Sequence, residues 1–394
     1  MPPLDGLRVI DLTRVVAGPF CTMMLGDMGA EVLKIEEPQH GDDSRGWGPF
    51  IDGWSSFYLA LNRSKKSVAL DLKTADGANA LRRLVETGDV LIENFRPGSL
   101  AELGFGYDEV AQMNPRLIYC SIAGYGQTGP SAQLPGYDAV IQGEAGIMDM
   151  TGFAGGDPTR VGVAITDYLA GLYAMQGILL AVIDRATSGR GQHVDIALFD
   201  AMLSVMRLPV SILLATGVDP TRVGNEHLSI APYEPLRAKD GLIIVAVANP
   251  RLWTRFCTAI GRPDLHDDPR FRTNTKRVAN RDVLKQELES IFAGWTVDEL
   301  TKRLGAENVP CGRVRSIRQA IQHPQVDARD LLITQAHPAL GRVQTLGPVV
   351  KLSRTPACVR LPPPALGEHT REILESFQLS ALSHQQKHQE SDPS

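Results

Sequence analysis

Residues Leu7–Glu37 read LRVIDLTRVVAGPFCTMMLGDMGAEVLKIEE, and this stretch decides the fold class. Leu7 to Leu12 reads as a buried strand, and Thr13 to Gly18 as a loop. Pro19 suits the first turn of a helix that runs to about Met28, and Gly29 closes it. Glu31 to Ile35 is the next strand, so the unit is β-α-β. It ends in Glu36 and Glu37, acids placed where a nicotinamide-binding unit would hold a ribose. The turn after the first strand has a single glycine, however, where close approach to a pyrophosphate needs G-x-G-x-x-G. A G-x-x-x-x-G-K-[ST] phosphate loop is missing as well.

Outward from this unit the alternation continues, with strands at Ser67–Leu72, Asp89–Ile92, Leu117–Ile122 and His193–Ala197. Helices fall at Asp76–Glu86 and Tyr107–Met113. Such alternation gives an α/β fold with a Rossmann-like, mostly parallel sheet covered on both faces. Ligands then sit at the carboxyl ends of the strands, in the loops Thr13–Gly18, Glu93–Gly98 and Ala123–Gly136. Asn94, Phe95 and Arg96 lie in the second of these. Phe95 reads equally as a core ring, and Arg96 as a solvated charge. His193, alone at a strand edge, reads as structural.

A second stretch, Asp157–Arg185, contains sixteen residues from Tyr168 to Ile183 without a charge. That is about 24 Å of helix, short for a bilayer, so a buried core helix is expected. Ala170, Ala174, Gly177 and Ala181 lay small side chains along one face, where another backbone can approach. Asp167 stands at the start, where peptide dipoles would keep its carboxylate ionised. Locally, Thr166 or Asp167 reads as a helix cap. The sharper alternative is a carboxylate nucleophile beside a cleft.

From Gly217 the chain turns rich in Pro, Gly and polar residues, which marks a boundary. The expected organisation is a large domain over 1–216, a smaller α+β domain with its linkers over 217–328, and a segment over 329–382 that returns to the large domain. Residues 383–394 are expected to be a disordered tail. Within this plan one helix spans Asp200–Leu214 and a strand Leu242–Ala248. Short β pieces fall at Leu331–Thr334, Val343–Leu346 and Val349–Leu352, and Thr370 caps a terminal helix.

A length of 394 residues, 43% of them hydrophobic and 22% charged, suits a globular protein of two domains. The net charge of −5 argues against a nucleic-acid partner. Five singly placed cysteines disfavour a zinc site or a disulfide framework and point to a reducing compartment. The start MPPLDGLRVIDLT leaves no room for a signal peptide, so a cytoplasmic location is expected, or a mitochondrial matrix one if a transit peptide precedes it. No membrane association and no metal are expected.

Nine segments in order carry a resemblance: LDGLRVIDLTRVVAGPF, GAEVLKIEEP, NRSKKSVALDLK, GDVLIENFRPG, NPRLIYCSIAGYGQTGP, PGYDAV, the Asp167 stretch, GRGQHVDIALFDAM and PPPALGEHT. Together they resemble the class III coenzyme A transferases, the family of formyl-CoA and carnitine-CoA transferases, along nearly the whole chain. The nearer likeness is to succinyl-CoA:glutarate and acetyl-CoA:oxalate transferases, through GDDSRGWGPF, NRSKKS, YCSIAGYGQTGP and GYDAV.

This resemblance implies that Asp167 is the catalytic nucleophile, forming an anhydride and then an aspartyl-CoA thioester. It implies CoA or acyl-CoA as substrate with no permanently bound cofactor, and small carboxylic, here dicarboxylic, acids as the partners in exchange. It also implies an interlocked homodimer. Matched by motif, Val16, Ala17, Leu70, Lys73, Asn94, Phe95 and Arg96 would line the CoA site, with Tyr137 and Asp138 near the nucleophile. Arg96, Lys73 and the Arg63–Lys66 cluster suit the CoA phosphates. Arg45 reads either as a substrate or CoA contact or as a surface-loop arginine. Glu37 stands where formyl-CoA transferase has an arginine, and that enzyme's glycine-rich loop is missing near Val247–Asn249. Formate specificity in its manner is therefore not expected. Two alternatives stay open: an α-methylacyl-CoA racemase, which would place a histidine next to the aspartate where this chain has Tyr137 and Asp138, and a non-catalytic acyl-CoA-binding relative.

Overall fold

Strands with apolar residues on both faces need a layer of helices on each side, and that is the architecture of the computed structural model, which describes residues 1–376. In chain order the first part holds β1 (Arg8–Asp11), α1 (Ala17–Asp27), β2 (Glu31–Glu36), a short hairpin of β3 (Phe50–Ile51) and β4 (Trp54–Ser55), α2 (Ser56–Leu61) and β5 (Lys65–Ala69). It continues with α3 (Ala75–Thr87), β6 (Val90–Glu93), α4 (Tyr107–Met113), β7 (Ile118–Ala123), α5 (Asp138–Glu144), α6 (Ile147–Met150), α7 (Ile165–Ser188) and β8 (His193–Ala197). Then follow α8 (Leu198–Val205) and α9 (Arg207–Thr216).

The six long strands form one parallel sheet in the order β5-β2-β1-β6-β7-β8. Ile10 of β1 lies between Leu33 of β2 and Leu91 of β6. The chain winds outward from β1 to β5, returns to β6 on the other side, and so leaves a topological switch point between β1 and β6. A crevice opens there at the carboxyl ends. One face is covered by α1 and α7; on the other, Leu81, Leu84 and Val85 of α3, Val110 of α4 and Ile373 of the helical residues 370–376 pack with Ile10, Leu33 and Val68.

The described residues divide into two compact units: Met1–Ile147, Val161–Ser211 and 325–376 form one; Met148–Arg160 with Ile212–Pro324 form the other. The second has an antiparallel sheet ordered β11-β10-β9, of β9 (Tyr233–Ala238), β10 (Gly241–Ala246) and β11 (Cys311–Arg313). Its core gathers Trp253, Phe256, Phe271, Leu288 and Phe292.

Several expectations change. β5 begins two residues early, because Lys65 and Lys66 pair with Val32 and Leu33. The helix after β8 breaks into α8 and α9, bent by 70°, with Pro209 tolerated in the first turn of α9 where its missing N–H is not needed. β9 was hidden in the boundary stretch by Pro235, a residue an edge strand accepts. Val349–Leu352 forms no strand; the hairpin is β12 (Leu332–His337) with β13 (Gly341–Leu346). The Thr370 hydroxyl donates to the Gly367 carbonyl and accepts from the Ala69 amide, so it ties the C-terminal segment onto the β5 edge and does not act as a helix cap. The expected tail of 383–394 lies outside the described residues.

Of the small-residue face expected on α7, Ala170, Ala174 and Ala181 are buried and Gly177 is half-buried, while Gly171, which that reading did not include, is buried as well. A Cβ on Gly171 would lie 2.6 Å from the Ala17 carbonyl oxygen, so only glycine lets α7 lie this close to α1. The length argument, by contrast, does not hold. With 24 residues α7 is long and apolar enough to cross a membrane; one face of it packs against α1, β7 and β8, while Leu172, Leu180 and Ile183 stay exposed.

Candidate active site

Asp167 is the third residue of α7 and is half-buried. Burial, with the Asp138 carboxylate as the second cause, pushes its carboxyl up to about 7. Among the described residues no cation or hydrogen-bond donor compensates it. The expectation that the helix dipole keeps this acid fully ionised is therefore corrected: desolvation outweighs the dipole. Nor does Asp167 cap the helix, since the residue before α7 is Ala164 and makes no side-chain cap.

Thr166 is buried, and its amide and hydroxyl both donate to one Asp138 oxygen, at 2.9 and 2.8 Å. The other Asp138 oxygen accepts from Gln142 at 2.9 Å. Asp138 thus fixes the first turn of α7 while its charge raises the energy of an ionised Asp167. Tyr137 beside it is 69% exposed, which leaves its ring accessible.

Thr13–Val16 occupy the crevice at the switch point. Asn94 clamps the Arg14 peptide from both sides, accepting its N–H and donating to its carbonyl, each at 2.9 Å. The Arg14 guanidinium lies 5.4 Å from the Phe95 ring centroid, and that ring also packs on the core. Val16 and Ala17 are buried where α1 begins. Phe20, one turn on, meets Tyr168 edge to face at 5.0 Å. The first loop and the start of α7 are therefore in contact, so Val16 and Ala17 come together with Asn94, Phe95 and the Asp167 turn. Leu70 is buried just past β5, and Lys73 and Arg96 are exposed; neither cation is held in an ion pair among the described residues.

The Arg63–Lys66 cluster is not available to phosphates. Arg63 is buried against Asp27 at 2.7 Å and donates to the Leu346 carbonyl. Lys65 is fully buried against Asp11, Asn62 and the Pro19 carbonyl, and Lys66 pairs with Glu372 and Glu31. Arg45 is neither a loose surface arginine nor a free cation. Its guanidinium meets Glu36 through two nitrogens, donates to Pro364 O, and lies 3.7 Å over the Tyr58 ring. The exposed Glu37 carboxylate accepts from the Gln39 and His40 amides, which hold its carboxyl below the usual range. His193 bonds Ser121 at 3.0 Å and stacks on Tyr107, consistent with a structural part.

Sequence reading overlooked the buried charges beneath the loop. Lys34 is wholly buried and donates to the Thr13 carbonyl at 2.8 Å, while pairing with Asp42 at 2.8 Å. Asp11 holds the amide and hydroxyl of Thr13 and the hydroxyl of Thr22. A lysine in the middle of the apolar strand EVLKIE was the available signal, because such a charge must find partners inside.

A family description, CoA-transferase family III, matches residues 4–370. Succinyl-CoA:glutarate CoA-transferase of Mus musculus is 39% identical over 375 residues, 95% of this chain and 86% of that protein. Acetyl-CoA:oxalate CoA-transferase of Acetobacter aceti is 41% identical over 352 residues, 89% of each. The crystal structure of a CAIB/BAIF family protein from Brucella suis superposes with a TM-score of 0.86 at 40% identity, covering 95% of this chain and 99% of the other.

Proposed function

The chain belongs to CoA-transferase family III and is a CoA-transferase acting on acyl-CoA and carboxylic acids, and from that premise we propose that it moves CoA from succinyl-CoA to a small dicarboxylic acid such as glutarate, with Asp167 as nucleophile. The observation that carries this reading is the uncompensated, half-buried Asp167 carboxyl at the start of α7. A carboxylate that burial has made costly is more basic and more nucleophilic, and covalent capture removes its charge.

Asp167 attacks the donor thioester carbonyl, the C–S bond breaks, and CoA leaves as thiolate. The thiolate attacks the aspartyl carbonyl of the resulting anhydride and expels the donor acid. The acceptor carboxylate then attacks the aspartyl thioester, giving a second anhydride and thiolate. Attack on the acceptor carbonyl forms the new acyl-CoA and frees Asp167. One thioester replaces another, so no external energy source enters. The site has to retain CoA while it is unattached and keep water from the anhydrides.

Val16, Ala17, Leu70, Lys73, Asn94, Phe95 and Arg96 line the CoA site in this proposal, with Tyr137 and Asp138 at the nucleophile. The crevice at the switch point and the uncommitted charges of Lys73 and Arg96 support it. Arg45 supports the loop through Glu36 and does not meet substrate. The enzyme works as an interlocked homodimer. Supporting this are Leu172, Leu180 and Ile183, which α7 leaves 48–68% exposed, and an apolar cavity of about 1070 Å³ lined by Phe20, Met24, Leu59, Tyr168, Leu172 and Leu346. A second copy would cover both. The five free cysteines suit a reducing compartment, the cytoplasm or a mitochondrial matrix.

The test is mass spectrometry of CoA thioesters after mixing the protein with succinyl-CoA and, separately, glutarate, oxalate, malate, itaconate and formate. Glutaryl-CoA formed together with free succinate is the expected result. Exchange with none of these acids would overturn the dicarboxylate assignment.

A further inference from the structure

Val15 stands at φ +71°, and among the described residues it is the only β-branched one at positive φ; the other non-glycines there are Asp52, Ser64, Asn308 and Asp330. A branched Cβ crowds its own backbone in that region, so the conformation persists only where its surroundings impose it. Three side chains from separate segments do so. Lys34 holds the Thr13 carbonyl, Asn94 holds both sides of the Arg14 peptide, and Asp42 accepts the Val15 amide at 3.1 Å.

Of these three side chains, only Asp42 bonds Val15 itself. It is 2% exposed, accepts from the amide and hydroxyl of Ser44 at 2.9 and 2.7 Å, and meets Lys34 at 2.8 Å through its other oxygen. Lys34, in turn, grips Thr13, two residues before Val15. The pair therefore spans the loop from beneath. Val15 packs against the cluster of Val16, Met23 and Leu61, against which Phe20 and Tyr168 also pack, and Tyr168 is the neighbour of Asp167.

We propose that Asp42, paired with Lys34, is a positioning residue for CoA transfer: it holds residue 15 in the left-handed conformation, so that the peptides of residues 15–17 are set beside the Asp167 turn before CoA arrives. This rests on the assignment of the first loop and Asp167 made above. A loop held in advance spends no binding energy on being ordered, so its loss appears as weaker CoA binding.

The experiment compares Asp42→Asn, Val15→Gly and the double variant, reading CoA affinity by calorimetry, kcat and KM for succinyl-CoA, and melting temperature. Asp42→Asn weakens CoA binding and raises KM about tenfold, with a smaller change in kcat. Glycine adopts φ +71° freely, so in the Val15→Gly background the same substitution weakens binding by less than about threefold. Equal losses in both backgrounds, or unchanged CoA affinity in Asp42→Asn, would overturn the proposal. If Asp42→Asn does not fold, the joint change Lys34→Gln with Asp42→Asn replaces it, since it strands no buried ammonium. An Asp167→Ala control separates the two layers. Transfer surviving in that variant refutes the nucleophile, while the CoA-binding comparison still decides the role of Asp42.

Discussion

Asp11 and Asp167 are both acids of the first unit, both withdrawn from water, and opposite in state. Asp11 is fully buried, yet Lys65, Lys34 and the hydroxyls of Thr13 and Thr22 overcome its desolvation and hold its carboxyl below the usual range. Asp167 is less deeply buried and is pushed up to about 7 by that burial, which no cation among the described residues answers, and by the like charge of Asp138. Depth alone does not decide a buried acid; partners do. The paired acid holds architecture, and the unpaired one is the nucleophile we propose. Asp42 follows Asp11, held well below the usual range chiefly by Lys34 against its own burial.

The contrast is broken most severely at Asp167. Replacing it with Ala should lower CoA transfer by about 10⁴-fold or more, measured as thioester exchange, without loss of folding. The sign of the stability effect follows from linkage. The native carboxyl sits above its ordinary value of 3.8, so the folded chain binds more protons than the unfolded chain between there and about 7, and stability falls as pH rises through that window. Asp167→Asn should therefore melt about 2 °C higher than the parent at pH 8; a clear drop would mean that the carboxylate is structurally partnered.

Lys65→Met tests the other side. It removes the cation closest to Asp11 and should cost about 3 kcal/mol in urea unfolding, because a buried charge is left short of a partner. A loss under about 0.5 kcal/mol would place that lattice among ornamental pairs. Third, the transfer rate at limiting succinyl-CoA should rise with pH toward a plateau above about 7, with a slope near tenfold per unit on the acid side, since only ionised Asp167 attacks. Asp138→Asn keeps an acceptor for Thr166 but removes the like charge, so this limb should move to lower pH. An unmoved limb would assign it to another group.

Glu93 gives the smallest effect and the finest distinction. It is 5% exposed and pushed up to about 7, mainly by burial, while accepting from the Phe95 amide at 2.8 Å. Glu93→Gln keeps that bond and should stabilise the fold by under about 1 kcal/mol at pH 8, with transfer changed by less than about twofold. A large loss of transfer would show that a raised carboxyl alone does not single out Asp167.

Much of this was legible in the chain because two periodicities spoke clearly. Alternating strands and helices gave the parallel sheet, and the single small-residue face of α7 marked where α1 packs. The rule that ligands sit at the carboxyl ends of parallel strands pointed to three loops, Thr13–Gly18, Glu93–Gly98 and Ala123–Gly136, and the strand order puts the first two beside the switch point. Contacts between residues far apart in sequence were not legible. Lys34 reaching Asp42 and Thr13, Arg63 reaching Asp27, and Thr370 reaching Ala69 depend on register and on the return of the C-terminal segment, which composition does not encode. The state of Asp167 was misjudged for the same reason: the helix start is local, whereas its desolvation and its neighbour Asp138 come from the fold.

The most direct measurement is to trap the acyl-enzyme. Protein incubated with succinyl-CoA is treated with hydroxylamine, which attacks an aspartyl thioester, releases CoA and leaves a hydroxamate, and peptide mass spectrometry then locates the modification. The nucleophile assignment predicts a hydroxamate at Asp167 that requires succinyl-CoA and is missing from Asp167→Asn. An active enzyme whose hydroxamate maps to another residue, or which forms none while exchanging CoA, would contradict it.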